Sequence, residues 1–280
     1  MEALRIHVPD EPLVLIPIGD IQYDGEGRRC DLRRLREVIE YGLSHPGGRF
    51  LGVGDYIDFT SPSNRRRLLG AALYDTATDA IDRMACAICD DLMEVLEPSR
   101  GRWLGLVHGH HYHAMQSGKL SDEYLAERLD CPFLGTSAFL EITTPSARTP
   151  LRVMMHHYWA SGRTPGAHLH EAHRRVASHD ADLYFYGHCH RLGVEPLVQL
   201  TTAEGEDGGV QIIALSRGII FCGSYALHWQ QDSRFGGRPW GTYAEQKGLA
   251  PTVTGSPVVW CYPDNMGSVT RWRFRAFLSW

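Results

Sequence analysis

Hydrophobic and polar positions fall into two textures along the chain. Up to about residue 191, short apolar runs alternate with stretches whose apolar residues recur every three or four positions; beyond it, strand-like runs follow one another directly. Leu13-Val-Leu-Ile-Pro-Ile-Gly-Asp20 predicts a buried strand, because an unbroken apolar run suits a sheet covered on both faces. Residues 31–44 predict a helix, with Leu32, Leu35, Val38, Ile39 and Leu43 at helical spacing and Asp31 as its N-cap. A strand over 50–53 follows, then a polar loop from Thr60 to Arg67. Residues 76–97 predict the longest helix, with Ala77, Ile81, Met84, Ile88, Leu92 and Val95 on one face and Pro98 as its stop. Strands are predicted at 103–107, 138–143, 150–156 and 182–187, and helices at 120–129 and 167–178. After these, 193–200, 209–223, 256–262 and 269–278 read as strands. Between them, 225–255 is a long irregular segment carrying Trp229, Phe235, Trp240 and Tyr243.

Alternation early and strands late imply an α/β (α+β) architecture: two packed mixed sheets with helices outside, a four-layer αββα sandwich. No repeat, low-complexity tract or linker interrupts the pattern, so residues 1–280 are expected to form a single domain.

Composition narrows the picture. With 280 residues and 43% hydrophobic content the chain can bury a full core, and no run approaches a membrane span. The opening MEALRIHVPDEP has acids and no apolar h-region, so no signal peptide is expected. Seven cysteines, an odd number scattered through apparent core segments, suggest reduced thiols and a cytoplasmic protein. Cys86 and Cys89 form a CxxC inside a helical pattern with no second pair, which favours packing over a zinc or redox site. A net charge of -5 argues against a surface that coats nucleic acid. Nothing in the pattern sets an oligomeric state.

Histidine changes the picture most. Of 15, eight lie in three short segments, 108–113, 156–157 and 188–190, each following an apolar strand. Clusters at strand ends invite a metal ion, since the carboxyl edge of a sheet is where α/β folds place ligands. Two other strands end in Gly-Asp, giving Asp20 and Asp55, with Gln22 and Asp58 just beyond. The candidates are Asp20, Gln22, Asp55, His110, His111, His156, His157, His188 and His190. A carboxylate and imidazole set without thiolate suits Mn, Fe or Zn better than Ca.

The order of these blocks resembles that of calcineurin-like metallophosphoesterases, whose pattern runs Asp-x-His, Gly-Asp-x-x-Asp, Gly-Asn-His, a strand-end His and Gly-His-x-His. Here they read Asp20-Ile-Gln22, Gly54-Asp55-Tyr-Ile-Asp58, Gly109-His110-His111, His156-His157 and Gly187-His188-Cys-His190, across residues 13–191. The stretch 216–260 resembles the tail of phage and bacterial members. The resemblance implies two divalent ions, Mn first with Fe, Zn, Ni or Mg as alternatives. Asp20, Gln22, Asp55 and His190 would hold one, and Asp55, His110, His156 and His188 the other. His111 would donate a proton to the leaving oxygen while a hydroxide carried by the ions attacks phosphorus in line; Asp58 would orient a ligand.

Two departures stand out. Gln22 replaces the family's histidine, as in the similar Mn-dependent ADP-ribose/CDP-alcohol diphosphatases, and His110 replaces its asparagine. A shifted loop would use His108 or His113 instead. His156 and His157 point opposite ways on a strand, and we assign His156. Asn64, Arg163 and Arg191 are the phosphate-binding candidates. His168, His170 and His173 read as an exposed helical face, Arg271-Trp-Arg-Phe-Arg275 as a half-covered edge strand, and Trp229, Phe235 and Trp240 as either a lid or core filling. The expected function is hydrolysis of phosphodiesters or phosphomonoesters, with nucleic acid or nucleotides as the preferred substrates and no membrane partner. The alternatives are a nucleotide pyrophosphatase and a degenerate scaffold that binds metal weakly.

Overall fold

The computed structural model describes residues 1–71, 73–157, 164–205, 208–235, 237–266 and 269–278. In chain order the elements begin β1 (Glu2–His7), β2 (Leu13–Ile18), α1 (Leu32–Leu43), β3 (Gly48–Gly52), α2 (Pro62–Leu69), α3 (Asp75–Leu96) and β4 (Trp103–Leu106). Then come α4 (Ser121–Arg128), β5 (Ser137–Thr143), β6 (Leu151–His156), α5 (Pro165–Val176), β7 (Leu183–Tyr186), β8 (Leu192–Glu204) and β9 (Val210–Cys222). The chain closes with β10 (Arg234–Phe235), β11 (Arg238–Pro239), α6 (Tyr243–Lys247), β12 (Pro257–Met266) and β13 (Val269–Leu278).

The strands form two mixed sheets, β1-β5-β6-β7-β9-β8 and β13-β12-β2-β3-β4, plus a β10-β11 ribbon. Parallel pairing joins β2, β3 and β4, and also β6, β7 and β9, so both groups point their carboxyl ends the same way within each sheet. Side-chain parity builds the layers. Leu13 and Leu15 of β2 meet Leu140, Val153, Met155, Leu183 and Phe185 in the core between the sheets. Their neighbours Val14, Ile16 and Ile18 face the other way, against Leu35, Val38 and Ile39 of α1 and Cys89 and Leu92 of α3. On the far side Met154, Tyr184 and Tyr186 pack against Ala172 and Leu169 of α5. Helix, sheet, sheet and helix therefore lie in four layers, as the alternating pattern predicts.

Several local expectations change. The polar stretch 60–67 is largely α2: Ser61 accepts the Asn64 N–H at 3.3 Å and Pro62 opens the helix. The buried face of α3 runs through Ala85, Cys89, Leu92, Met93, Val95 and Leu96, rotated from the predicted face so that Met84 is 53% exposed. Cys89 is buried with its thiol near the Ser121 carbonyl, in keeping with packing. Strand β1, which no apolar run announces, pairs in parallel with β5 at the sheet edge. β13 is an edge strand with Trp272 buried, while Arg271 and Arg273 engage Asp264. Trp229 and Trp240 are 61% and 56% exposed, so neither fills a core; the Phe235 side chain lies outside the description. No described helix is long and apolar enough to cross a membrane.

Candidate metal centre

The predicted residues converge from both sheets. Asp20 follows β2, Asp55 follows β3, His110 and His111 follow β4, His157 follows β6, and His188 and His190 follow β7. Main-chain bonds stitch the first two turns together: Asp20 N–H donates to the Gly54 carbonyl at 2.9 Å and Gln22 N–H to the Asp55 carbonyl at 3.0 Å. Asp20, Gln22, Asp55, His188 and His190 all have φ between 47° and 73°, in the left-handed region. They are five of the seven such non-glycine residues in the described chain, so backbone strain, at about 1–3 kcal/mol each, is concentrated at the site. Glycine is required beside them: a Cβ on Gly109 would collide with Asp55, and one on Gly54 (φ 90°) would sit 2.7 Å from the His157 ring.

At the centre is Asp55, only 2% exposed. Its Oδ1 accepts the backbone N–H groups of His110 and of His111, the latter at 2.9 Å. Its Oδ2 lies 3.2 Å from His157 Nε2. One ligand atom each from Asp55, His110, His157 and His188 can be chosen so that all lie within 4.8 Å of one another. An ion with bonds of about 2.0–2.2 Å needs its donors about 3–4.4 Å apart, so a small contraction closes these four around one cation. Beside them, Asp20 Oδ1 is 3.4 Å from His190 Nε2, which is 3.3 Å from the Gln22 amide nitrogen.

Two orphaned atoms make the case for a cation. His157 donates its Nδ1–H to the Val53 carbonyl at 2.6 Å, which in the neutral ring leaves a lone pair on Nε2 directed at a carboxylate. Both His157 Nε2 and Asp20 Oδ1 are buried without an aligned hydrogen-bond partner. Two acceptors face to face need something positive between them, either a proton or a metal ion.

The electrostatics of the bare site follow from burial and these contacts. Burial raises the Asp20 carboxyl to about 7, partly opposed by His157. Burial also works to raise Asp55, but His157 and His111 outweigh it and hold its carboxyl well below the usual range. Burial lowers His110 and His188 to about 4 and His190 to about 3, so all three rings are neutral. Burial opposes the charge on His157 as well, yet Asp55 and Asp20 carry it up to about 9. His111 is raised in the same way, against burial, chiefly by its 2.7 Å bond from Nδ1–H to Asp58 Oδ1. Asp58 thus orients His111.

One of the expected residues does not join the cluster. His156 shares parity with Met154, facing outward, where its Nδ1 is 3.4 Å from Arg175 Nη1; burial lowers it to about 4. Met155 and His157 share the inner face, where Asp55 lies. The imidazole in the cluster is therefore His157. His108 bonds toward Thr136 and His113 toward Asp82, so the shifted loop is not formed and His110 occupies the cluster. Asn64 is exposed on α2. The Arg191 guanidinium stacks 4.9 Å above the Phe221 ring. Arg163 lies outside the described residues.

Some contributors went unassigned. Arg65, within the stretch expected to be a polar loop, sends Nη1 to the carbonyls of Thr60, His110 and Tyr112 at 2.6–2.7 Å and stacks on the Tyr112 ring at 3.7 Å. It clamps the loop that carries His110 and His111. Asp122, buried and raised to about 6 by burial, accepts the Gly109 N–H at 3.1 Å. Ser224 and His228 lie behind His190. No single-residue signal marks these positions.

No family model and no curated protein matches this sequence. Similar solved structures include Vacuolar Protein Sorting 29 from Cryptosporidium parvum, 13% identical with a TM-score of 0.36, covering 96% of this chain and all of that one. Vps29 from Chaetomium thermophilum is 12% identical with a TM-score of 0.36, covering 96% and 97%. Vps29 from Entamoeba histolytica complexed with Zn2+ is 11% identical with a TM-score of 0.35, covering 94% and 99%. At these scores no residue role is carried over. What the fold and site define by themselves is a two-sheet α+β protein with a His/Asp cluster suited to a metal ion.

Proposed function

We propose that this chain is a metal-dependent phosphoesterase that hydrolyses phosphodiester or phosphomonoester bonds, with nucleic acid or nucleotides as its substrate class. The observation that carries the proposal is the convergence of Asp20, Asp55, His110, His157, His188 and His190 from two sheets, with His111 beside them. Asp55, His110, His157 and His188 would hold one divalent ion, and Asp20, Gln22, His190 and Asp55 a second. When bound, such ions supply Lewis-acid polarisation of a phosphoryl group and activation of water at neutral pH. Mn is the preferred metal, since carboxylates and a neutral amide oxygen suit a hard ion that also accepts imidazole nitrogen.

The protein's own residues do the rest. Asp58 takes the Nδ1–H of His111 and stabilises its imidazolium, leaving Nε2 to deliver a proton to the departing oxygen. The loop of His110 and His111 stays in place because Arg65 gathers its carbonyls and Asp55 its N–H groups.

The test is hydrolysis of bis-p-nitrophenyl phosphate and p-nitrophenyl phosphate with added Mn2+, followed by a screen over nucleotides, single- and double-stranded DNA, and RNA. Turnover of either ester that EDTA abolishes supports the proposal. Turnover of neither, with less than one ion bound per chain, sinks it and favours a scaffold. Gln22, the residue that sets the diphosphatases apart, favours one second reading, a nucleotide pyrophosphatase; preferential cleavage of ADP-ribose or CDP-choline in the same screen identifies it.

A further inference from the structure

The segment 223–255 reaches back to the candidate centre through Ser224, Tyr225 and His228, and the contacts of Ser224 and His228 decide which nitrogen of His190 is free. Ser224 is fully buried. Its hydroxyl donates to the Asp20 main-chain carbonyl at 3.0 Å, and its oxygen accepts the Ala226 N–H at 3.0 Å. With its single proton committed, Ser224 Oγ can only accept from His190 Nδ1, which stands 3.2 Å away. His190 therefore carries its hydrogen on Nδ1. The same hydrogen faces His228 Nε2 at 3.0 Å. That nitrogen is an acceptor, because His228 Nδ1–H donates to the Ala250 carbonyl at 3.1 Å. On the opposite side of the His190 ring, Nε2 keeps a lone pair toward Asp20 Oδ1 and the Gln22 amide.

We propose that His228 is a positioning residue: with Ser224 it locks His190 in the Nδ1–H form and so presents Nε2 to a divalent cation beside Asp20. The proposal rests on the metal-binding reading above. It also gives the irregular segment a task. The carbonyl of His228 accepts the Thr242 hydroxyl at 2.7 Å, and Thr242 is the N-cap of α6, closed by Glu245 in a capping box. Ala250 lies just past that helix, so α6 and its flanks hold His228 at two places, its main-chain carbonyl and its ring Nδ1. Partners that orient a ligating imidazole typically govern metal affinity 10- to 100-fold, by about that order when removed. Gln22 is a weaker donor than imidazole, which leaves more of this half-site to His190.

The experiment uses the full chain with Mn2+ alone, comparing wild type with His228→Ala and His228→Gln. Long-range proton–nitrogen correlation on the metal-free, 15N-histidine-labelled protein reads the tautomer of each ring, and equilibrium dialysis reads the metal. Wild type should show His190 as Nδ1–H. His228→Ala should bring a fraction of Nε2–H form and weaken the more labile Mn2+ by about 10- to 100-fold. His228→Gln, whose amide oxygen still accepts the hydrogen, should recover most of that loss, which a packing role would not predict. An Nε2–H wild-type His190, unchanged Mn2+ affinity in His228→Ala, or no recovery in His228→Gln would overturn the proposal. No Mn2+ uptake by wild type would overturn the metal-site reading and this proposal with it, whereas unaltered uptake in His228→Ala overturns this proposal alone.

Discussion

Loading the candidate centre with Mn2+ should expel protons in a number that depends on pH. Two groups set it. His157 is held up to about 9 by Asp55 and Asp20 against burial, and Asp20 is raised to about 7 by burial. At pH 7 His157 is therefore protonated, and Asp20 is partly so. An ion that takes His157 Nε2 displaces that proton, and one that takes the Asp20 carboxylate displaces the other. Filling both halves therefore releases between about one and two protons per chain near pH 7, more at lower pH and fewer at higher pH. His110, His188 and His190, at about 4, 4 and 3, are already neutral in this range and Asp55 is already ionised, so they add nothing. Because the proton competes with the cation, affinity for the ion on His157 should rise roughly tenfold per pH unit below about 9. Calorimetric titration in buffers of different ionisation enthalpy measures the release. A His111→Ala background removes any proton that the ionic charge would drive from that neighbour. Binding heat independent of buffer at pH 7 would refute the reasoning, since it would mean that no proton stands where the ion goes.

Further outcomes follow from the same contacts. Without metal, stability should rise with pH up to about 6.5, because the buried rings of His110, His156, His188 and His190 stay neutral while the unfolded chain protonates, and fall above it, as the last of the Asp20 contribution is lost through about 7 and that of His157 through about 9; the melting temperature of EDTA-treated protein should therefore drop from pH 7 to 9, and that of Mn2+-loaded protein should drop less. His157→Ala should weaken Mn2+ binding by more than about 100-fold while His156→Ala leaves it within a few-fold, as read by dialysis; equal losses would return the assignment to His156. Asp58→Asn should lower the pKa of His111 and move the alkaline limb of the pH–rate profile to lower pH; an unmoved limb would remove His111 as the acid. Arg65→Ala should cost about 2 kcal/mol in urea unfolding through its lost carbonyl contacts, with Arg65→Lys recovering only part; no change would mean that the loop holds itself.

Much of the site was legible because strand ends advertise themselves. An apolar run that stops at Gly-Asp or runs into His-x-His places Asp20, Asp55, His188 and His190 at a sheet edge before any fold is known, and the two-sheet layering follows from the same runs. The choice between His156 and His157 required knowing which face of β6 meets the other sheet; Met154 and Met155 are equally apolar, so parity alone could not decide it. Helix α2 is hard to see in the sequence although Ser61-Pro62 is a start signal, because its eight residues include three consecutive arginines and present no clear apolar stripe. Small residues shifted the face of α3, since Ala85 and Cys89 pack where larger ones were expected. Ser224 and His228 had no pattern to betray them: their contacts with His190 span 34 and 38 residues of sequence.

Anomalous X-ray diffraction from crystals grown with Mn2+ tests the central claim most directly. The account predicts a manganese peak bonded to the Asp55 carboxylate and to nitrogens of His110, His157 and His188, with a second beside Asp20 and His190. Ordered protein with no anomalous density between Asp55 and His157, or with the metal bound on another face, would contradict it.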